Sequence, residues 1–167
     1  MTSVTETVSI ALTVNGERIS ANIEPRLSLA DFLRTELELT GTHIGCEHGV
    51  CGACNVRVNG ETVRGCLVFA VQAQNSEVVT IEGASDSGII DRLKKAFHER
   101  NALQCGFCTP GMLMTAVELL ERNPTPSRDE IRDYLSGNYC RCTGYEAIVD
   151  AIETAAKTKG PSAEATS

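Results

Sequence analysis

Apolar side chains alternate along Val8, Ile10, Leu12 and Val14, the period of a half-buried strand. The Asn15-Gly16 pair that follows is a tight-turn signal, and the chain returns from Ile19 to Ile23, so a β-hairpin is predicted. Ser28, with Asp31 three residues on, opens a helix whose apolar positions are Leu29, Phe32, Leu33 and Leu37, and Gly41 is the expected stop. A glycine-punctuated stretch runs from Gly41 to Ala53. Val56 and Val58, an Asn59-Gly60 turn and Val63 then predict a second hairpin, and Val78 to Ile81 a further strand. Residues 6–82 read as a small mixed sheet with one helix.

Beyond a short polar linker, Gly83 to Gly88, the period changes from 2 to 3.6, which marks a second domain over residues 88–157. Ile89, Ile90, Leu93 and Phe97 predict one helix; Leu113, Ala116, Val117 and Leu120 predict another. Ser127 with Glu130 forms a capping box ahead of Ile131 to Leu135, and Thr143 with Glu146 reads as another ahead of Ile148, Ala151 and Ile152. Four helices of this length imply a compact bundle. The small, polar tail at residues 160–167 is expected to be disordered.

Composition narrows the function. The 167 residues contain only 4% aromatics and no tryptophan, which argues against a stacking platform for single-stranded nucleic acid. Fifteen Lys and Arg against twenty-two Asp and Glu give a net charge of −7, with no basic patch for a phosphate backbone. The polar N-terminus lacks the pattern of a secretion signal, and no run approaches the roughly 20 apolar residues of a membrane span. A cytoplasmic protein is expected. In a reducing compartment, eight clustered cysteines point to metal ligation rather than disulfides.

The first set is Cys46-x4-Cys51-x2-Cys54 followed by Cys66, the spacing with which plant-type ferredoxins hold a 2Fe-2S cluster. Gly45, Gly49 and Gly52 let the backbone curl around such a group, with amide N–H groups free to face its sulfurs. The Asn59-Gly60 turn folds the chain back so that Cys66 returns beside Cys54. Buried free thiols and a zinc site are the weaker alternatives; structural zinc prefers separated C-x2-C knuckles. Cys46-Glu47-His48 contains a C-x-H unit, but the second Cys–His unit of a Rieske centre is absent. His43 and His48 read as loop residues, and His98 as a helix-surface residue.

The second set is Cys105-x2-Cys108 and Cys140-x-Cys142. Cys108 precedes Thr109-Pro110, read as a threonine N-cap with proline at the first helical position, and Cys142 precedes the Thr143–Glu146 box. Two helix N-termini thus direct partial positive charge at one place, which favours an anionic thiolate cluster. The helical hairpin between the pairs runs out to Asn123 and returns after Pro126. Spacing alone leaves tetrathiolate zinc open here. A redox-active Cys105–Cys108 disulfide is disfavoured, because no strand precedes it.

Taken together, GCEHGVCGAC, a fourth cysteine, QCGFCTPGM and NYCRCTGY resemble the small iron–sulfur subunit of the xanthine oxidase family of molybdenum hydroxylases, over about residues 6–157. The resemblance implies an α+β chain: an N-terminal β-grasp 2Fe-2S ferredoxin-like domain, then an all-α four-helix 2Fe-2S domain. It implies that Cys46, Cys51, Cys54 and Cys66 hold one 2Fe-2S cluster, and Cys105, Cys108, Cys140 and Cys142 the other. A large partner would carry a molybdopterin cofactor and the substrate, and a medium partner FAD, in a dimer of heterotrimers. Electrons would run from molybdenum through the helical-domain cluster to the other cluster and on to flavin. Gln104 and Cys142 match family positions that lie against the pterin; the plainer alternative for Gln104 is a hydrogen bond to nearby backbone. The chain itself has no GxGxxG fingerprint, so no substrate chemistry is expected on it. The competing reading is a free-standing ferredoxin with a structural zinc site. The substrate (carbon monoxide, an aldehyde, an N-heterocycle or an aromatic acyl-CoA) and the final acceptor are not written in this chain.

Overall fold

A computed structural model of the chain describes residues 6–86 and 88–158. The expected tail at residues 160–167 lies outside them. The first hairpin joins β1 (Val8–Val14) to β2 (Glu17–Ile23) with Val14 opposite Glu17. Its turn residues, Asn15 and Gly16, both take positive φ, at 50° and 83°, as a type I′ turn requires. The second hairpin, β3 (Asn55–Val58) and β4 (Glu61–Arg64), turns in the same way at Asn59 and Gly60. β5 (Glu77–Val79) lies between the hairpins, parallel to β1 and antiparallel to β3, so the sheet order is β2-β1-β5-β3-β4. β5 stops short of the expected Ile81 because the Asn15 amide captures Thr80, accepting from its N–H at 2.9 Å and donating to its hydroxyl at 3.0 Å.

The helix in this half starts as predicted and ends early. Ser28 Oγ accepts the Asp31 amide at 3.0 Å and opens α1 (Leu29–Asp31), which widens into a π-helical turn over Phe32–Glu36. Glu38, at φ 57°, closes it, and the Leu39 amide donates to Leu33 O. Gly41 is therefore not the stop. Its role is close packing: a Cβ there would lie 2.5 Å from Ile81 Cγ2.

In the polar linker, Gly83–Asp86 forms one 3-10 turn ahead of α2 (Gly88–Glu99). α3 (Thr109–Arg122), α4 (Arg128–Leu135) and α5 (Glu146–Lys157) follow. The described residues thus form a mixed α/β structure with a five-stranded sheet and five helices. None of those helices is long and apolar enough to cross a membrane. Buried apolar side chains gather in two clusters. One is centred on Leu12, Leu29, Phe32 and Val56; the other is built from α2–α5 around Leu93, Phe97, Met112 and Ile152.

α3 belongs to both halves. Every residue from Gly111 to Leu120 is buried, because the helix packs on α2 and α4 as well as on β3 and β4. Its apolar stripe is correspondingly blurred in the sequence, as expected of a helix covered on all sides.

Candidate metal centres

The first cysteine loop is shaped by backbone that L side chains rarely adopt. Gly49 and Gly52 sit at φ 76° and 71°, and Glu47 is held at φ 55°. The His48 amide donates to Cys46 Sγ at 3.3 Å, and this backbone bond is the largest cause lowering the Cys46 thiol to about 6, against the burial that raises it. At the inner end of the loop, burial pushes the Cys54 thiol up to about 11. The β3–β4 register does return Cys66: Gly65 N–H donates to Cys54 O at 3.1 Å, and the Cys66 thiol is near enough to help raise the Cys54 thiol. The Cys51 thiol and amide likewise help lower Cys46.

The second set meets across the α3–α4 hairpin. Cys142 Sγ and Cys105 Sγ are 3.6 Å apart, and the Cys140 thiol is near enough to help raise Cys108. Burial, then the Cys140 thiol, raises Cys108 to about 12. Cys140 moves the other way. Burial raises it, but the Thr143 hydroxyl at 3.1 Å and amide at 3.4 Å, with the Cys142 amide, outweigh that and lower it.

All eight cysteines are free thiols. Among the described residues the donors do not converge in threes or fours on one ion position; they meet in pairs. Two thiolates on one tetrahedral metal, with bonds of about 2.3 Å, stand roughly 3.8 Å apart. The Cys105–Cys142 separation is close to that, so the residues present fit a group in which each of two metals takes two thiolates.

The helix starts behind the second set differ from expectation. Cys108 itself, not Thr109, occupies the N-cap of α3, and its carbonyl accepts the Met112 amide at 3.0 Å. The Thr143–Glu146 box does not form. Tyr145, at φ 70°, precedes α5, while Thr143 faces Cys140 and Glu146 pairs with Arg128 and Arg132. Short polar side chains prefer whichever local acceptor or donor is nearest, and here that is a cysteine sulfur. The Tyr145 hydroxyl clamps the loop, donating to Asn138 O at 3.1 Å and accepting the Cys140 amide at 2.8 Å.

The largest feature missed in the sequence is the seam joining the two cysteine loops. Tyr139 N–H donates to Cys51 O at 2.8 Å, one residue before Cys140. Asn55 Nδ2 donates to Thr115 Oγ1 at 2.7 Å, and that hydroxyl lies 3.1 Å from Asn138 Oδ1, all three residues being buried. Gly111 rests against the first loop so closely that a Cβ would lie 2.1 Å from Gly52 O. His43, read as a plain loop residue, stacks on Phe107 with ring centroids 4.8 Å apart and places Nδ1 2.7 Å from Phe107 O. Isolated Asn, Thr and Gly give no signal of a partner 23 or 60 positions away. The glycines at 52 and 111, each next to or near a cysteine, were the available hint.

Gln104 is exposed, and its Nε2 donates to Cys142 O at 3.0 Å. The structure therefore brings the two positions together through the backbone bond anticipated as the plainer reading.

Comparison with known proteins gives the geometry a family. The family model of the 2Fe-2S iron-sulfur cluster binding domain matches residues 12–84, and that of the [2Fe-2S] binding domain matches residues 80–153. The chain is 51% identical to the caffeine dehydrogenase subunit gamma of Pseudomonas sp. (strain CBB1), over 89% of this chain and 91% of the relative. It is 49% identical to the nicotine 6-hydroxylase small subunit of Paenarthrobacter nicotinovorans, over 90% of each. The crystal structure of quinoline 2-oxidoreductase from Pseudomonas putida 86 contains a chain that superposes with a TM-score of 0.85 at 50% identity, covering 90% of this chain and 94% of that one. With both 2Fe-2S domains matched and small subunits of this kind alike along most of their length, the chain belongs to the xanthine oxidase family of molybdenum hydroxylases, as one of its iron–sulfur subunits.

Proposed function

We propose that this chain carries electrons between a molybdopterin site on a large partner and FAD or another acceptor on a further partner, in a complex built as a dimer of heterotrimers. The domain boundaries we assign are residues 6–82, a β-grasp ferredoxin-like domain, and residues 88–157, a four-helix domain. Cys46, Cys51, Cys54 and Cys66 hold one 2Fe-2S cluster; Cys105, Cys108, Cys140 and Cys142 hold the other. The clusters, when bound, supply one-electron transfer. The observation that carries this reading is the convergence of each set: Gly65 N–H on Cys54 O brings Cys66 back to the first loop, and Cys105 and Cys142 meet at 3.6 Å in the second.

The protein's own groups keep the ligands in place. The His48 amide and the Thr143 amide and hydroxyl donate to cysteine sulfurs, which favours thiolate over thiol. Tyr145 fixes the approach of Cys140, and the seam through Tyr139 N–H and Cys51 O holds the two loops at one separation. Gln104 and Cys142 form the face turned to the pterin. Eight free thiols suit a reducing cytoplasm. Relatives named for caffeine, nicotine and quinoline support an N-heterocycle as the substrate class of the complex, selected on the large partner.

Metal and acid-labile sulfide analysis of the purified protein tests the assignment. Four irons, four sulfides and no zinc per chain are expected; two irons with one zinc per chain would overturn it in favour of a ferredoxin with a structural zinc site.

A further inference from the structure

Arg64 ends β4, two residues before Cys66, and its half-buried guanidinium is fastened to both cysteine loops. Nε donates to Gly49 O at 3.0 Å, inside the Cys46–Cys51 segment. One terminal nitrogen donates to Gly137 O at 2.6 Å, three residues before Cys140, and the other to the side-chain oxygen of Asn55, which follows Cys54. All three acceptors are neutral. No ion pair among the described residues includes Arg64. Its neighbours in the same region behave otherwise: Arg57 pairs with Glu121, and Arg122 with Glu61 and Glu118.

The seat is built for this side chain. A Cβ at Gly137 would lie 2.4 Å from the guanidinium, and Asn55 is itself braced by the buried Thr115 hydroxyl. An arginine stays protonated at any working pH. Withdrawing such a charge from water without an anion is unfavourable, and neutral oxygens compensate only in part. A counter-charge would be supplied by a cluster held on Cys46, Cys51, Cys54 and Cys66, whose loop and flank Arg64 grips: four thiolates around iron and sulfide would make an anion, with one more negative charge on reduction.

We propose that Arg64 is a positioning residue whose fixed charge raises the reduction potential of the first-set cluster more than that of the second. Two of its three contacts lie on the first loop and its flank, and only one leads to the second. One electron enters, with no bond made or broken and no proton taken up, because arginine does not titrate. Transfer from the second cluster to the first is thereby made more favourable. This rests on the two-cluster reading above.

The test is a redox titration of the purified complex followed by electron paramagnetic resonance, with Arg64→Gln and Arg64→Lys compared with the unaltered protein. Arg64→Gln is expected to weaken reduction of the first cluster about tenfold, about 59 mV for a one-electron couple, with a smaller shift of the second. Arg64→Lys, which keeps the charge and loses the fork, should retain most of the potential. If Arg64→Gln holds four irons with both potentials unmoved, or if Lys and Gln lower the first potential equally, the proposal is overturned. Should Arg64→Gln fail to assemble, the Lys variant decides: an unchanged potential supports the charge, and a tenfold loss overturns it. Fewer than four irons in the unaltered chain would instead overturn the two-cluster reading, whatever Arg64 does.

Discussion

In the first half of the chain, three cysteines hang from one glycine-bent loop and the fourth returns along a hairpin fixed by the Asn59-Gly60 turn. In the second half, two pairs stand at opposite ends of the α3–α4 hairpin and meet only because α3, α4 and α5 pack around a shared core. The first arrangement depends on local backbone curvature, the second on tertiary packing. A loop of the first kind is sensitive to single glycines; a site of the second kind is sensitive to anything that shifts a helix. Yet Tyr139 N–H to Cys51 O ties them at the backbone, so the two cysteine sets share one frame.

The largest expected effect separates ligand from frame. Cys51→Ser should abolish the first electron paramagnetic resonance signal and leave the second, and Cys108→Ser should do the reverse. The Cys51 carbonyl, which carries the seam, is untouched by a side-chain change. Loss of both signals from a folded Cys51→Ser protein would mean that the two sets are not separately held.

The contrast between the halves also explains what was legible in the chain. Both hairpins, the Ser28 start and the Ser127–Glu130 box could be read because each signal and its partner lie within a few residues. Cysteine spacing marked the Cys46–Cys54 run and the two short pairs, Cys105–Cys108 and Cys140–Cys142, for the same reason, whereas the meeting of those pairs is a product of packing. The errors came where a residue had a more distant or less usual partner. Thr143 looked like a cap and instead serves Cys140; Gly41 looked like a helix stop and instead makes room for Ile81. The Asn55–Thr115–Asn138 seam spans 60 and 23 positions and leaves no periodic trace.

The shared frame is tested next by Gly111→Ala. Its Cβ would meet Gly52 O, a backbone atom that cannot rotate away. Overpacking of this kind destabilises by about 1–3 kcal/mol, which denaturant unfolding would register. Because Gly52 lies between Cys51 and Cys54, and Gly111 stands behind Cys108, both resonance signals should broaden together. A change confined to the second signal would show that the halves are packed less tightly than the Gly111–Gly52 approach implies.

A smaller effect distinguishes the outward face of the second set. Gln104→Ala removes the donor to Cys142 O without touching a sulfur. Both clusters should assemble, and rapid mixing of the complex with substrate should show their reduction slowed by about tenfold, the lower end for groups that orient metal ligands. Slowing of only the later step to flavin would reverse the proposed direction of flow.

The smallest effect belongs to the α4–α5 surface and has no counterpart in the ligand loops. The Ser127 amide, then its hydroxyl, lowers Glu130 below the ordinary carboxylate value of 4.5, and Lys157, then Arg128, does the same for Glu153. A depressed carboxylate contributes stability that is present above its unfolded value and is lost as pH falls through its folded value. These groups therefore support the second half at neutral pH and cease to do so as the medium is acidified below about 4.5. The support is weak, because the carboxylates are exposed and screened. Acid also attacks iron–sulfur clusters, so the informative quantity is a difference. The Tm of a Glu130→Gln/Glu153→Gln protein should fall slightly below that of the unaltered chain at about pH 7, and the gap should narrow as pH falls below about 4.5 and close once the lowered folded values are passed. A gap that persists unchanged in acid would assign the loss to altered packing of α4 on α5 rather than to charge.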